Sequence, residues 1–147
     1  MKSKKSDKLT LFDKTCLVRW INSCNVWDTA ITIDNLPQEL RNGVLLCSIL
    51  KFHQPALDFK GLSLLSRTKQ PCLNNLEMAI SVMGQKGLPP RNLLTAEQLF
   101  EMSKVERMWL MIRSIFDVFA MHDVTLLKPK IMNWISSIIT FYNPTRT

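Results

Sequence analysis

The residues best equipped for chemistry are four cysteines, Cys16, Cys24, Cys47 and Cys72, and two histidines, His53 and His122. No two cysteines form a C-x-x-C pair, and neither histidine falls at a ligand spacing from another ligand, so a zinc site is disfavoured. No Ser/His/Asp or Cys/His arrangement can be argued from spacing, and there is no Gly-rich phosphate loop. Cys16 and Cys47 lie on apolar helical faces, and all four cysteines read as reduced core or near-core residues of a cytosolic protein. His53 follows an apolar run and stands before Pro55, which suits a cationic or hydrogen-bonding role at a helix end. The expected chemistry is therefore recognition without catalysis, metal or cofactor.

Recognition points to basic and aromatic side chains. Net charge is +7, from 19 Lys and Arg against 12 Asp and Glu. Lys2, Lys4, Lys5 and Lys8 crowd the N-terminus with a single acid, Asp7. Residues 1–9 thus read as a flexible basic arm, with no apolar segment behind it of the kind a secretory signal needs. Such a balance favours an acidic partner. Lys14, Arg19, Lys104 and Arg107 are candidate contacts, with Asn22 beside Arg19. Glu106, Trp109, Arg113 and Asp117 recur at i, i+3/i+4 spacing along one helix side. There Trp109, with Arg113 over its ring, reads either as a partner-binding anchor or as a buried core residue, and burial is the preferred reading. Trp20 is assigned to the core. Lys60, Arg67 and Lys69 form a basic loop, for which a lipid headgroup and a structural hydrogen-bonding role are equal alternatives. Nucleic acid is disfavoured because no recognition motif accompanies the charge.

These side chains need helices to hold them. Leu40 to Leu50 carries the pair Asn42-Gly43 and then an almost wholly apolar run, which only a helix covered on every side accommodates. Thr10-Leu11-Phe12-Asp13 is a capping box that opens a helix to about Cys24, with Phe12, Cys16, Leu17, Trp20, Ile21 and Cys24 buried. The central helix ends near His53. Asn25 to Pro37 is a loop. Ala56 to Pro71 is irregular, fixed by Leu57, Phe59, Leu62, Leu64 and Leu65. Asn74, with Glu77 at the third helical position, opens the next helix, which Gly87 and Pro89-Pro90 end. Thr95 opens a short helix, and Ser103-Lys104-Val105-Glu106 a long one to about Met121. Lys128-Pro129 starts a last helix containing Trp134 and Ile138. The fold class is all-α, and no apolar run reaches the ~18 residues of a membrane span.

The order of these pieces, from Phe12 to Asp123, resembles the calponin-homology domain. Arg19-Trp20-Ile21-Asn22-Ser23 is similar to the family's first helix. Leu40-Arg41-Asn42-Gly43 and the apolar run resemble its Leu-x-Asp-Gly-x-x-Leu-x-x-Leu pattern, with Asn42 for Asp. Asn75-Leu76-x-x-Ala79-Ile80, Ile112-x-x-Ile115-Phe116 and Phe119 to Val124 resemble later helices. The resemblance implies a bundle of four main helices plus short connecting helices over residues 10–124. Residues 125–147 then form a C-terminal helix that packs on the domain or, since Lys128 to Ser137 echoes Lys14 to Ser23, begins a second one. Family members bind actin filaments, microtubules or signalling proteins without catalysis.

Two departures touch the surface that actin-binding members use. Leu110 and Arg113 stand where the family often has Gly and Trp, and Glu101-Met102-Ser103 stands where it often has Asp-Gly-Asn. The first helix instead resembles the first domain of actin-binding tandem pairs. The resemblance therefore implies a cytoplasmic, cytoskeleton-associated filament-binding module with a lean to actin. The alternatives are tubulin binding by a single basic module and a signalling or scaffold adaptor that binds a protein without a filament. Membrane lipid is disfavoured as a partner.

Overall fold

The computed structural model describes residues 8–65 and 67–121. The basic arm up to Asp7, His122 and the C-terminal helix expected over 125–147 lie outside the described residues. Four main helices, α1 (Leu11–Ser23), α3 (Val44–His53), α4 (Lys69–Gln85) and α6 (Val105–Ile115), are joined by short ones, α2 (Leu36–Glu39), a 3₁₀ turn (Pro90–Asn92) and α5 (Ala96–Glu101). Among the described residues there is no β-strand. The chain is all-α, and α6 runs on into a π-helical segment, Phe116–Ala120.

Two of the local start signals act as their spacing requires. The Thr10 hydroxyl accepts from the Asp13 amide at 3.1 Å while the Asp13 carboxylate accepts from the Thr10 amide at 3.2 Å. Thr95 and Gln98 make the same reciprocal pair at 3.1 and 3.0 Å. Each box satisfies amides that a first helical turn leaves unbonded. The expected box at Ser103 does not form. Lys104 is the N-cap of α6 without a side-chain cap, and Glu106 instead turns across to α1.

The start of α4 also departs from expectation. It begins at Lys69, not Asn74, behind an extended Thr68. Pro71 is the third helical residue, where a missing N–H loses no intrahelical bond. Asn74 therefore caps nothing, and its neighbour Asn75 sits in the helix interior, fully buried. At the other end Gly87 (φ +109) closes a Schellman turn, with the Leu88 amide donating to the Met83 carbonyl at 3.1 Å and the Gly87 amide to Gly84 at 3.3 Å. The loop after α1 holds α2, which was not expected. Asn35 and Thr32 exchange side-chain-to-amide bonds of 2.8 and 3.0 Å just before it.

α3 is the central element. Leu45, Leu46, Cys47, Ile49 and Leu50 are all at most 1% exposed. α4 and the π-helical segment pack against it, and Leu76, Ala79 and Met83 of α4 share one buried core with Met108, Met111, Ile112 and Ile115 of α6. The approach of α3 to α4 fixes one residue. Gly43 has φ +80, and a Cβ there would stand 2.6 Å from the Asn75 Cβ and 2.7 Å from the Leu76 nitrogen. Asn75 ties the junction together. Its amide nitrogen donates to the carbonyls of Asn42 and Ser63, both at 2.9 Å, and its oxygen accepts from the Ser63 amide at 3.0 Å. The long loop between α3 and α4 is thereby pinned at Ser63. Leu57, Phe59 and Leu62 pack inward as expected, whereas Leu64 and Leu65 do not anchor it: they are 65% and 89% exposed.

Candidate partner-binding face

α1 and α6 lie side by side and run in the same direction. Lys14 on α1 reaches Glu106 on α6 at 3.3 Å, and six residues on, the Trp20 ring meets the edge of Phe116 at 5.2 Å. The apolar stripe that buries Cys16, Leu17, Trp20 and Ile21 turns the other side of α1 outward. α6 does the same with Lys104, Val105, Arg107 and Arg113.

The residues picked from sequence separate into two groups on this frame. Lys14 is not a free surface cation: its ammonium pairs with Glu106 and stands 5.6 Å from the centre of the Trp109 ring. Trp109 is 1% exposed, which removes it as a surface anchor; the cation over its ring is Lys14 and not Arg113. Asn22 is spent on structure, donating to the Ile31 carbonyl at 3.0 Å and accepting from the Ile31 amide at 2.9 Å, which clamps the loop after α1. Arg113 stays half-exposed beside Asp117, one helical turn on, at 3.9 Å. Partial burial raises the Asp117 carboxyl, against the lowering pull of Arg113.

Arg19, Lys104 and Arg107 remain solvent-facing, and none has a carboxylate partner among the described residues. Arg107 donates to the Arg91 carbonyl at 2.6 Å, so the first turn of α6 and the 3₁₀ turn form one basic corner: Arg91, Lys104 and Arg107. Arg91 was not singled out from sequence. The signal was the short rigid segment Pro89-Pro90-Arg91, which brings it beside α6. These three cations stand near the positive end of the α6 dipole, which makes the corner electropositive.

The chemically capable side chains are held out of play. Burial pushes the Cys24 and Cys47 thiols up to about 12, and that of Cys16 upward too, which keeps them protonated and unreactive. His53 is not a helix-end cation. It is 6% exposed and accepts the Trp20 indole N–H at Nε2, 3.1 Å away, which leaves the ring proton on Nδ1. The ring also stacks on Trp20 at 5.8 Å. Among the described residues no three His, Cys, Asp or Glu side chains group as metal ligands, and no helix is long and apolar enough to cross a membrane.

No curated protein and no solved structure matches this chain. The family model of the Calponin homology (CH) domain matches residues 13–123, from the first turn of α1 to just past the π-helical segment. Such domains are non-catalytic modules that generally bind cytoskeletal or other proteins. With three-quarters of its length matched and its four main helices in place, the chain belongs to the calponin homology domain family.

Proposed function

We propose that the chain attaches its protein to a cytoskeletal filament in the cytoplasm, with actin favoured, by docking the α1–α6 side against acidic subunits. The observation that carries this reading is the exposed set Arg19, Arg91, Lys104 and Arg107, which meets no carboxylate among the described residues. The first-helix resemblance to actin-binding tandem pairs supports the choice of filament. Arg113, half-exposed at the far end of α6, extends the same side.

Co-sedimentation with actin filaments and with microtubules over a salt series tests it. Binding to actin is expected to weaken about tenfold when Arg19 and Lys104 are reversed to Glu, and to fall as salt rises. Unchanged pelleting of that variant removes the face from the contact. Lys2, Lys4, Lys5 and Lys8 favour a second reading, in which the arm meets the acidic tails of tubulin and raises the association rate. Microtubule pelleting that disappears on removal of residues 1–8, with actin pelleting absent throughout, selects that reading. Pelleting with neither filament at low salt selects the protein adaptor.

A further inference from the structure

The turn between α3 and α4 carries a feature that filament binding does not use. Ser63 is fixed through both its amide and its carbonyl by the buried Asn75 side chain. Leu62, one residue before that pin, turns inward onto the core. Leu64 and Leu65, just after it, turn outward at 65% and 89% exposure, the latter the most exposed large apolar residue among those described. Two adjacent leucines therefore project from a held base. Around them Lys60 and Arg67 are exposed and make no ion pair among the described residues. Lys69, at the start of α4, is half-exposed beside Glu101 at 3.3 Å. From residue 55 to 69 there are three cations, Lys60, Arg67 and Lys69, against one acid, Asp58, a net of +2.

We propose that this turn is a membrane-docking tip, in which Leu64 and Leu65 enter the boundary between headgroups and acyl chains of an anionic bilayer while Lys60 and Arg67 meet the lipid phosphates and carboxylates. Both halves of the contact are needed. Two leucines alone hold a protein weakly at a bilayer, and two or three cations alone give salt-sensitive adsorption; together they reach useful binding. The shape favours a bilayer over a protein. The leucines stand exposed to solvent, whereas apolar side chains that organise protein interfaces sit in well-packed, desolvated pockets. The proposal is peripheral attachment, and it stands whether or not the α1–α6 side binds a filament.

The test uses the 147-residue protein and vesicles of phosphatidylcholine with and without phosphatidylserine, read by co-sedimentation. Binding is expected only with phosphatidylserine, and to decline with salt. The pair Leu64→Ser with Leu65→Ser is expected to weaken it about tenfold, as is the pair Lys60→Glu with Arg67→Glu. Because all four side chains face solvent, the variants should melt with the parent protein and pellet with filaments as it does. No pelleting with phosphatidylserine overturns the proposal. So does loss in the charge variant with none in the leucine variant, which means adsorption without insertion. Leucine variants that keep vesicle binding but lose filament binding assign the turn to a protein contact, which also overturns it.

Discussion

Two left-handed turns lead into the main helices, and they hold opposite residue types. Gly43, at φ +80, precedes α3, and Met102, at φ +54, precedes α6. At Gly43 both backbone and packing demand glycine, since the α4 backbone stands where a side chain would go. At Met102 only the backbone favours glycine, and the side chain is 38% exposed. A left-handed conformation costs an L-residue about 1–2 kcal/mol, which a fold tolerates when nothing else collides. Backbone strain alone is thus negotiable in this domain, and the α3–α4 contact is not. The family resemblance places Met102 where Gly is usual, so the corner has lost its glycine while keeping the turn that glycine makes easy.

Gly43→Ala is expected to break the comparison most visibly. It adds the left-handed cost to clashing contacts of 2.6–2.8 Å with Asn75 and Leu76. Strain and overpacking together predict a loss of at least about 3 kcal/mol, read as a lower midpoint in urea and a Tm lower by about 10 °C. A loss under 1 kcal/mol would mean that α4 moves aside easily and that the junction is not rigid.

Asn75→Ala comes next, at about 2–4 kcal/mol. It orphans the Ser63 amide and the carbonyls of Asn42 and Ser63 at once. Hydrogen exchange should rise around Ser63 before it rises in α3, because water can re-bond the loop. Equal acceleration in both would show that the pin holds the whole core.

Met102→Gly carries the opposite sign. Relief of the left-handed strain, offset by the extra freedom of glycine in the unfolded chain, predicts a gain of about 0.5–1 kcal/mol. Destabilisation by more than about 1 kcal/mol would locate the value of Met102 in its packing against the cleft it lines with Pro37, Leu99 and Met108.

The same contrast explains what could be read from sequence. The capping boxes at Thr10 and Thr95 and the apolar run of α3 are legible because the partners lie within one helical turn, or because the residues themselves demand cover. Asn75 was legible only as one residue of the segment Asn75-Leu76-x-x-Ala79-Ile80, because its true partners lie 12 and 33 positions away. The Pro in Lys69-Gln70-Pro71 hid the first turn of α4, since a proline that suits a helix start looks like a break. On the candidate face, the charges were visible but their pairing was not. Lys14 finds Glu106 across 92 positions, and that contact accompanies the burial of Trp109. Likewise Leu64 and Leu65 have the composition of core residues, yet both lie outward just after the pinned Ser63.

An effect of similar size probes the Gly43 junction by pH. Cys47 donates weakly to the Asn75 carbonyl at 3.8 Å, and burial raises its thiol from the ordinary 9.0 to about 12. Cys24 is raised as far. A folded-state value above the unfolded one means that the native protein holds the proton more tightly. The stability this represents is complete below about pH 9 and is lost as pH rises from there towards 12, by at most about 1.4 kcal/mol per pH unit for each thiol. Cys47→Ala removes one of the two. It should therefore be less stable than the parent near pH 7, by about 1 kcal/mol for the small cavity, and should close that gap as pH rises to about 10.5. Urea titrations of both proteins at the two pH values read the crossing. A constant gap would mean that the Cys47 thiolate is accommodated at the α3–α4 contact, and that the junction which excludes a methyl group at Gly43 yields to a charge one helical turn later.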